Sequence, residues 1–486
     1  MTAPNIPAAA TAPDPDPDQA PDPDPAPAGT RRGLGPEVRK AAAVVIVGAT
    51  MSFLDSTIVN VALDALSTDL SAPLATVQWV VTAYLLAVAA VIPVSGWAAR
   101  RLGARRTYVW AVVVFTLASA LCALAANAPQ LIAFRALQGL GGGLIMPVGQ
   151  MILARAAGPK NMSRVMATVG VPIVLAPVFG PFAGGLLLHH ADWRWIFLVN
   201  LPVGAAAVAC ALLLLEPGSR EAAAPLDVPG LVAVSTAMAA LTYGLGGGAG
   251  APFALGAGAV LLVLFVLRSL RTAHPLLDVR LYRRPVFRAA SVTTFLLSTG
   301  MYGGMVVMPL YFQDVRQADP VTTAVLLVPS SIGAAAATWL SGRAAERWGG
   351  GRTALAGAVL SLVASVPFVL LRADTPYAVI GAAMTLSGFG VGLSVMPAMT
   401  TAFRTLEPAK IGDAAPQLAV LQRLGGSIAT AVLVAVLQSG LDSADATAPA
   451  RADAFAVTFA WSLALSAAAA LAAVRLARAQ REEPAC

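Results

Sequence analysis

Apolar residues fill this chain in blocks of about 20, parted by short stretches rich in Arg, Gly and Pro, from residue 41 almost to the C-terminus. As a helix, one such block crosses roughly 30 Å of hydrocarbon. Fourteen spans are predicted, beginning near residues 41, 73, 107, 130, 165, 195, 229, 251, 289, 321, 353, 377, 415 and 454. The run from Gly246 to Pro252 is the weakest divider, between the seventh and the eighth. The blocks lack the strict alternation of barrel strands, and an open sheet would leave backbone groups unsatisfied in lipid. The expected class is therefore an all-α integral membrane protein.

Charge adds a direction. Of the 32 Lys and Arg, 26 fall in segments on the same side as both termini, four fall in the opposite loops, and Arg135 and Arg423 lie within spans. The positive-inside rule puts both termini in the cytoplasm. The net charge of +7 is then topological and gives no reason to expect a nucleic-acid partner. Residues 1–40, with their Asp-Pro pairs between Pro13 and Pro27, read as a disordered cytoplasmic tail, and 476–486 as a second tail. No cleavable signal is seen, so the first span is expected to direct insertion.

Several function classes drop out. None of the three lysines, Lys40, Lys160 and Lys410, follows a Gly, so no phosphate-binding loop is present and an ATP-driven pump is excluded. The few ionisable residues within spans do not converge as an enzyme site would require. Cys122, Cys210 and Cys486 have neither disulfide nor metal spacing, and no cofactor or metal is expected. His189 and His190 beside Asp192 read as a metal or proton site, or as an interfacial belt with Trp193 and Trp195.

Against this background Asp55 stands out, a lone carboxylate in the apolar run from Ala41 to Leu63. An ionisable group in hydrocarbon is expensive and marks a functional position. Arg135, in the fourth span, is the matching cation.

The chain also repeats itself. Gly96, Arg100, Arg101, Gly103 and Arg106 recur as Gly342, Glu346, Arg347, Gly349 and Arg352, 246 positions on. Gly139, Gly141 and Gly143 recur as Gly388, Gly390 and Gly392, and Arg155 and Pro159 as Arg404 and Pro408, 249 positions on. Both members of each pair fall on one side of the membrane, which describes parallel repeats. Six spans need only about 200 residues, so the seventh and eighth are an insertion. The expected organisation is a bundle of six spans over 41–215, an inserted hairpin over 226–270 and a second bundle over 289–475.

These residues carry a resemblance. The run Leu54 to Leu63, the run Gln78 to Leu86, Arg135 with Gln138 and Gly139, and Trp193 to Gly204 resemble, in order, motifs of the major facilitator superfamily. The likeness is to its fourteen-span drug:proton antiporters of the EmrB and QacA type and covers about residues 41–475. The run Ala176 to Gly185 resembles the superfamily's antiporter motif. Ala176, Gly180 and Gly184 permit close helix approach while Pro177 and Pro181 bend the helix, so tight packing alone is an equal reading. Where the family usually has an acid, this chain has Arg100, and closure is expected to lean on Glu346 with Arg347 and Arg343.

The resemblance implies two bundles working by alternating access, with spans one and four side by side. Asp55 and Arg135 then form an intermittent pair that couples protons to transport. Gly96, Arg101, Gly103, Pro177, Gly180, Pro181, Gly184, Gly342, Glu346 and Arg347 are the conformational and gating positions. Candidates for the substrate cavity are Asn60, Gln78, Trp79, Tyr84, Gln138, Tyr302 and Gln313. The expected function is proton-coupled export of small amphipathic drugs or antibiotics by a monomer in a bacterial inner membrane. Its partners are the small-molecule substrate, protons and the lipid bilayer. An exporter dedicated to one metabolite, or a proton-coupled uptake symporter, is the alternative.

Overall fold

A chain in hydrocarbon must satisfy its own backbone, and here it does so almost wholly with helices. The computed structural model describes residues 35–217, 225–247, 250–443 and 447–482, and residues 36–486 form one unit. The helices are α1 (Pro36–Asp69), α2 (Leu74–Leu102), α3 (Ala104–Ala123), α4 (Ala128–Gly158), α5 (159–190), α6 (Trp195–Leu214) and α7 (Val228–Leu245). They continue as α8 (Ala251–Arg271), α9 (Pro285–Asp314), α10 (Val321–Trp348), α11 (Gly350–Val369), α12 (Tyr377–Arg404), α13 (Lys410–Asp442) and α14 (Ala448–Glu482).

Thirteen of them are long and apolar enough to cross a membrane, among the described residues. The other is α5, whose backbone runs on from α4 and is parted from it at Gly158, with φ 61° and ψ 175°. That conformation suits Gly alone, so the fourth and fifth spans turn there. Local signals place many starts: Asn127, Asp227 and Asp319 accept backbone N–H bonds as N-caps, and Pro occupies the first turn of α4, α7, α8 and α9.

Helical structure enters both stretches read as tails. Helix α1 already begins at Pro36, with Glu37 in its first turn bonded to Lys40 at 2.9 Å, and α14 continues to Glu482. Residues 1–34 and Cys486 lie outside the described residues.

Helices α1–α6 pack with one another, as do α9–α14. Close approach rests on Gly in both sets. A side chain at Gly141 would meet the backbone of Ala111 and Phe115 on α3, and one at Gly390 would meet that of Gly357 and Ser361 on α11. Two apolar clusters, one within each half, lie toward the end away from the Arg-rich loops. One is built on Leu66, Leu131, Ile196 and Phe197, the other on Tyr311, Phe312, Phe368, Phe455 and Phe459.

Two seams join the halves. In one, α5 meets α10, where Gly170 faces Thr338 and Gly342 faces Ser163, Arg164 and Ala167. In the other, Gly96 of α2 lies against Gly412 and Pro416 of α13. Helix α7 covers this second seam. Val234 and Met238 cluster with Ala89 of α2 and with Val420 and Leu424 of α13, and Ser235 Oγ donates to the Ala90 carbonyl at 2.6 Å. Helix α8 lies against α7 and exposes Phe253, Val260 and Val263.

Gly141→Leu and Gly390→Leu, at corresponding places in the two halves, should each destabilise the protein by about 1–3 kcal/mol through overpacking. Thermal unfolding in detergent checks this, with Leu117→Ala on the exposed face of α3 as the reference that should shift unfolding little.

Candidate functional site

A carboxylate that cannot reach water must find its donors inside the protein. Asp55 and Arg135 are fully buried, and Arg135 Nη1 donates to Asp55 Oδ2 at 2.6 Å. The other carboxylate oxygen, Oδ1, accepts from Gln138 Nε2 at 3.0 Å and from Asn200 Nδ2 at 2.7 Å. Ser119 Oγ sits behind both amides, accepting from Gln138 at 3.1 Å and Asn200 at 3.0 Å while donating to the Phe197 carbonyl at 2.9 Å. Four helices, α1, α3, α4 and α6, therefore meet around this one group, and α2 joins them through the guanidinium.

The guanidinium is held as closely. Its Nη1 also donates to Gln138 Oε1 at 2.7 Å, and Nε donates to the Val80 carbonyl of α2 at 3.2 Å. Its carbon lies 4.2 Å from the ring centroid of Tyr84, whose hydroxyl is 3.3 Å from Ser52 Oγ. Nη2 has no hydrogen-bond partner among the described residues. One turn beyond Asp55, Val59–Ala62 tightens to a 3-10 helix, a feature that often marks a hinge. Gly180 and Gly184 of α5 pack there, against Thr57 and Ile58. The side chains of Pro177 and Pro181 lie outside the described residues.

Of the cavity candidates, Tyr84 and Gln138 belong to this buried cluster. Tyr302 is half-buried against Gly426 of α13. Trp79 turns to the hairpin, stacked on Tyr243 of α7 at 5.8 Å between centroids. Asn60 and Gln78 are exposed, Asn60 bonding back to the Ser56 carbonyl, and Gln313 is exposed near the far end of α9. Sequence reasoning misses Asn200 and Ser119 as members of the cluster. An amide and a hydroxyl inside apolar spans are the available signal.

At the Arg-rich end, two ion pairs cross between the halves. Arg100 Nη1 meets Asp413 Oδ1 at 2.6 Å across the α2–α13 seam, and Arg164 Nη2 meets Glu346 Oε2 at 2.8 Å across the α5–α10 seam. Glu346 thus reaches α5 rather than Arg347, since adjacent helical residues point to different faces. Arg343 instead lies over the Trp339 ring at 4.0 Å, and Arg101 and Arg347 are exposed. Gly103 and Gly349 turn the following loops with φ of 88° and 86°. At the opposite end, Asp69 accepts from Trp193 Nε1 at 2.7 Å, and Arg194 pairs with Asp192 at 2.7 Å. His189 and His190 meet edge to face there, and no cluster able to hold a metal ion occurs among the described residues.

Residues 45–430 match the family model described as Major Facilitator Superfamily. A multidrug resistance protein B homolog of Mycobacterium tuberculosis strain H37Rv is 38% identical over 405 residues, covering 81% of this chain and 75% of that protein. The methylenomycin A resistance protein of Bacillus subtilis strain 168 is 34% identical over 366 residues, covering 74% and 78%. In fold, the chain is similar to the proton:xylose symporter XylE, with a TM-score of 0.64 at 13% identity over 88% of this chain and 94% of that one.

Two outcomes follow from the geometry. Arg135→Leu strands the Asp55 carboxylate and should cost about 3–5 kcal/mol, most of it recovered when Asp55→Leu is added, as read by thermal unfolding in detergent. Arg100→Asp should loosen the α2–α13 seam, and adding Asp413→Arg should close it again. A partly exposed pair contributes about 1 kcal/mol, so labelling of a cysteine placed at Pro416 by an aqueous thiol reagent should rise about 5-fold and then fall back.

Proposed function

The chain belongs to the major facilitator superfamily, and on that premise we propose that it is a proton-coupled antiporter exporting small amphipathic drugs or antibiotics by alternating access. The observation that carries the proposal is the wholly buried Asp55, gripped by Arg135, Gln138 and Asn200 within otherwise apolar helices. The names of the two relatives, a multidrug resistance protein homolog and an antibiotic resistance protein, support the substrate class and the direction of transport.

The Arg-rich end is assigned to the cytoplasm of a bacterial inner membrane by its excess of Lys and Arg, with both termini on that side. The working unit is a monomer of two six-helix bundles, with α7 and α8 as an inserted hairpin outside the transport path. The pairs Arg100–Asp413 and Arg164–Glu346 then close the cytoplasmic seams, so the conformation corresponds to the outward-facing half of the cycle. Asn60 and Gln78 are the exposed polar groups of α1 and α2 on the way from outside to the carboxylate.

In this state a proton arriving from outside takes Asp55 Oδ2 from Arg135. The guanidinium keeps the Val80 carbonyl and Gln138 Oε1 while its Nη1 gives up Oδ2. Neutral Asp55 relaxes the junction of α1 with α4, and Gly180 and Gly184 carry the change to α5 and the second seam. Inward opening exposes the proton to the cytoplasm, and Arg135 returns as it leaves. Export follows when substrate and proton favour opposite conformations, because a ligand shifts an equilibrium only through differential affinity. Each charge moved is driven by about 2.3 kcal/mol per 100 mV.

Asp55→Asn keeps the shape and loses the proton site. Proton-driven substrate accumulation in inverted vesicles should fall to background while protein abundance stays near that of the parent. Uphill pumping at the parent rate by Asp55→Asn would remove Asp55 as the carrier.

A further inference from the structure

Arg423 is the second guanidinium inside a span and takes no part in the proton site. It lies 13 residues from Lys410 and 19 from Asp442 along α13, or about 20 Å and roughly 28 Å from the two ends of the helix. No hydrogen bond or ion pair engages it among the described residues, and it is half-buried. Its neighbours on α13 are occupied otherwise: Gln422 donates to Met399 Sδ, and Leu424 packs into the cluster under α7.

Its direction follows from the helix. Gly412 and Pro416 of α13 lie against Gly96 of α2, and Arg423 is eleven residues beyond Gly412, about three turns along the same face. It therefore points into the seam between the halves. One turn farther along α13, Gly426 is covered by the ring of Tyr302 from α9. Helix α7 covers the outer side of this seam, where Val420 and Leu424 are packed, and so separates it from lipid.

The charge balance completes the case. Asp55 and Arg135 neutralise each other at 2.6 Å, which leaves the middle of the molecule with a net cation at Arg423. An unpaired charge at that depth is costly unless something of opposite sign visits it. A planar guanidinium is suited to a carboxylate or another oxyanion, which it meets with two parallel donors.

We propose that Arg423 recognises the anionic group of the substrate, so that the transported class is amphipathic monoanions bearing a carboxylate or similar oxyanion on an aromatic or aliphatic body. This rests on the antiporter reading for its place in a transport cycle, but the binding itself is testable without transport. Tyr302 supplies an aromatic wall beside the anion.

The test uses the full chain in phosphatidylcholine nanodiscs, which contain no anionic lipid. Binding of 1-pyrenebutyrate is compared with that of its uncharged methyl ester by pyrene fluorescence, after subtraction of empty nanodiscs. The parent should prefer the acid by about 10-fold, the factor supplied by one charge-assisted hydrogen bond. Arg423→Gln should bring the ratio to about 1 by weakening the acid alone, and Arg423→Lys should keep an intermediate ratio because it retains the charge without the fork. A parent that binds neither probe, one that shows no preference, or an Arg423→Gln protein that loses both probes equally overturns the proposal. Proton-driven movement is measured separately in inverted vesicles: preference without movement removes the antiporter reading alone, and movement without preference removes this inference alone.

Discussion

One ion pair in a medium that does not tolerate charge organises half of this molecule. Asp55 is buried from water, so α4 and α6 bring it donors through Arg135, Gln138 and Asn200, while α2 and α3 hold those donors in place through the Val80 carbonyl, the Tyr84 ring and Ser119 Oγ. Removing one partner leaves the other buried and unsatisfied, which makes the cluster a strong constraint on how these helices cross. The same feature makes it responsive. A single proton on Asp55 would cancel the charge that Arg135 meets.

The seams obey the duplication while reversing its polarity. Arg100 corresponds to Glu346 at an offset of 246, and Arg164 to Asp413 at 249, so the two crossing pairs are copies with their charges exchanged. The exchange has a physical rationale. Arg100 lies in the last turn of its helix segment, where the dipole favours a cation. Glu346, near the end of α10, has the opposite arrangement. The departure at Arg100 therefore rebuilds the contact with its partner inverted along with it.

Helices α7 and α8 give the second seam a cover that the first lacks from them. Packing against both α2 and α13 places α7 where the halves meet, and Trp79 turns toward it to stack on Tyr243. The cover keeps lipid from the seam that holds Arg423. Packing by α7 thereby sets the surroundings of Arg423 on α13, a charge that has no hydrogen-bond or ion-pair partner among the described residues.

The hydrocarbon rule acts locally, residue by residue, and that is why so much is legible along the chain itself. Apolar blocks mark the helices, Arg-rich loops mark one end, repeated Gly positions mark the duplication, and the isolation of Asp55 and Arg135 in apolar runs marks the pair. Nothing local, however, tells which face of a helix that is apolar all round meets its neighbour. Asn200 is 145 residues from Asp55 and Ser119 is 81 from Asn200, while Asp413 is 313 from Arg100. Trp79 reads as a cavity residue until α7 claims its ring, and Glu346 reads as a closing group without a named partner until α5 crosses it. The sequence by itself determined which groups could not be left alone in lipid. Only the tertiary structure decided what they meet, because pairing depends on helix crossings between segments far apart in the chain.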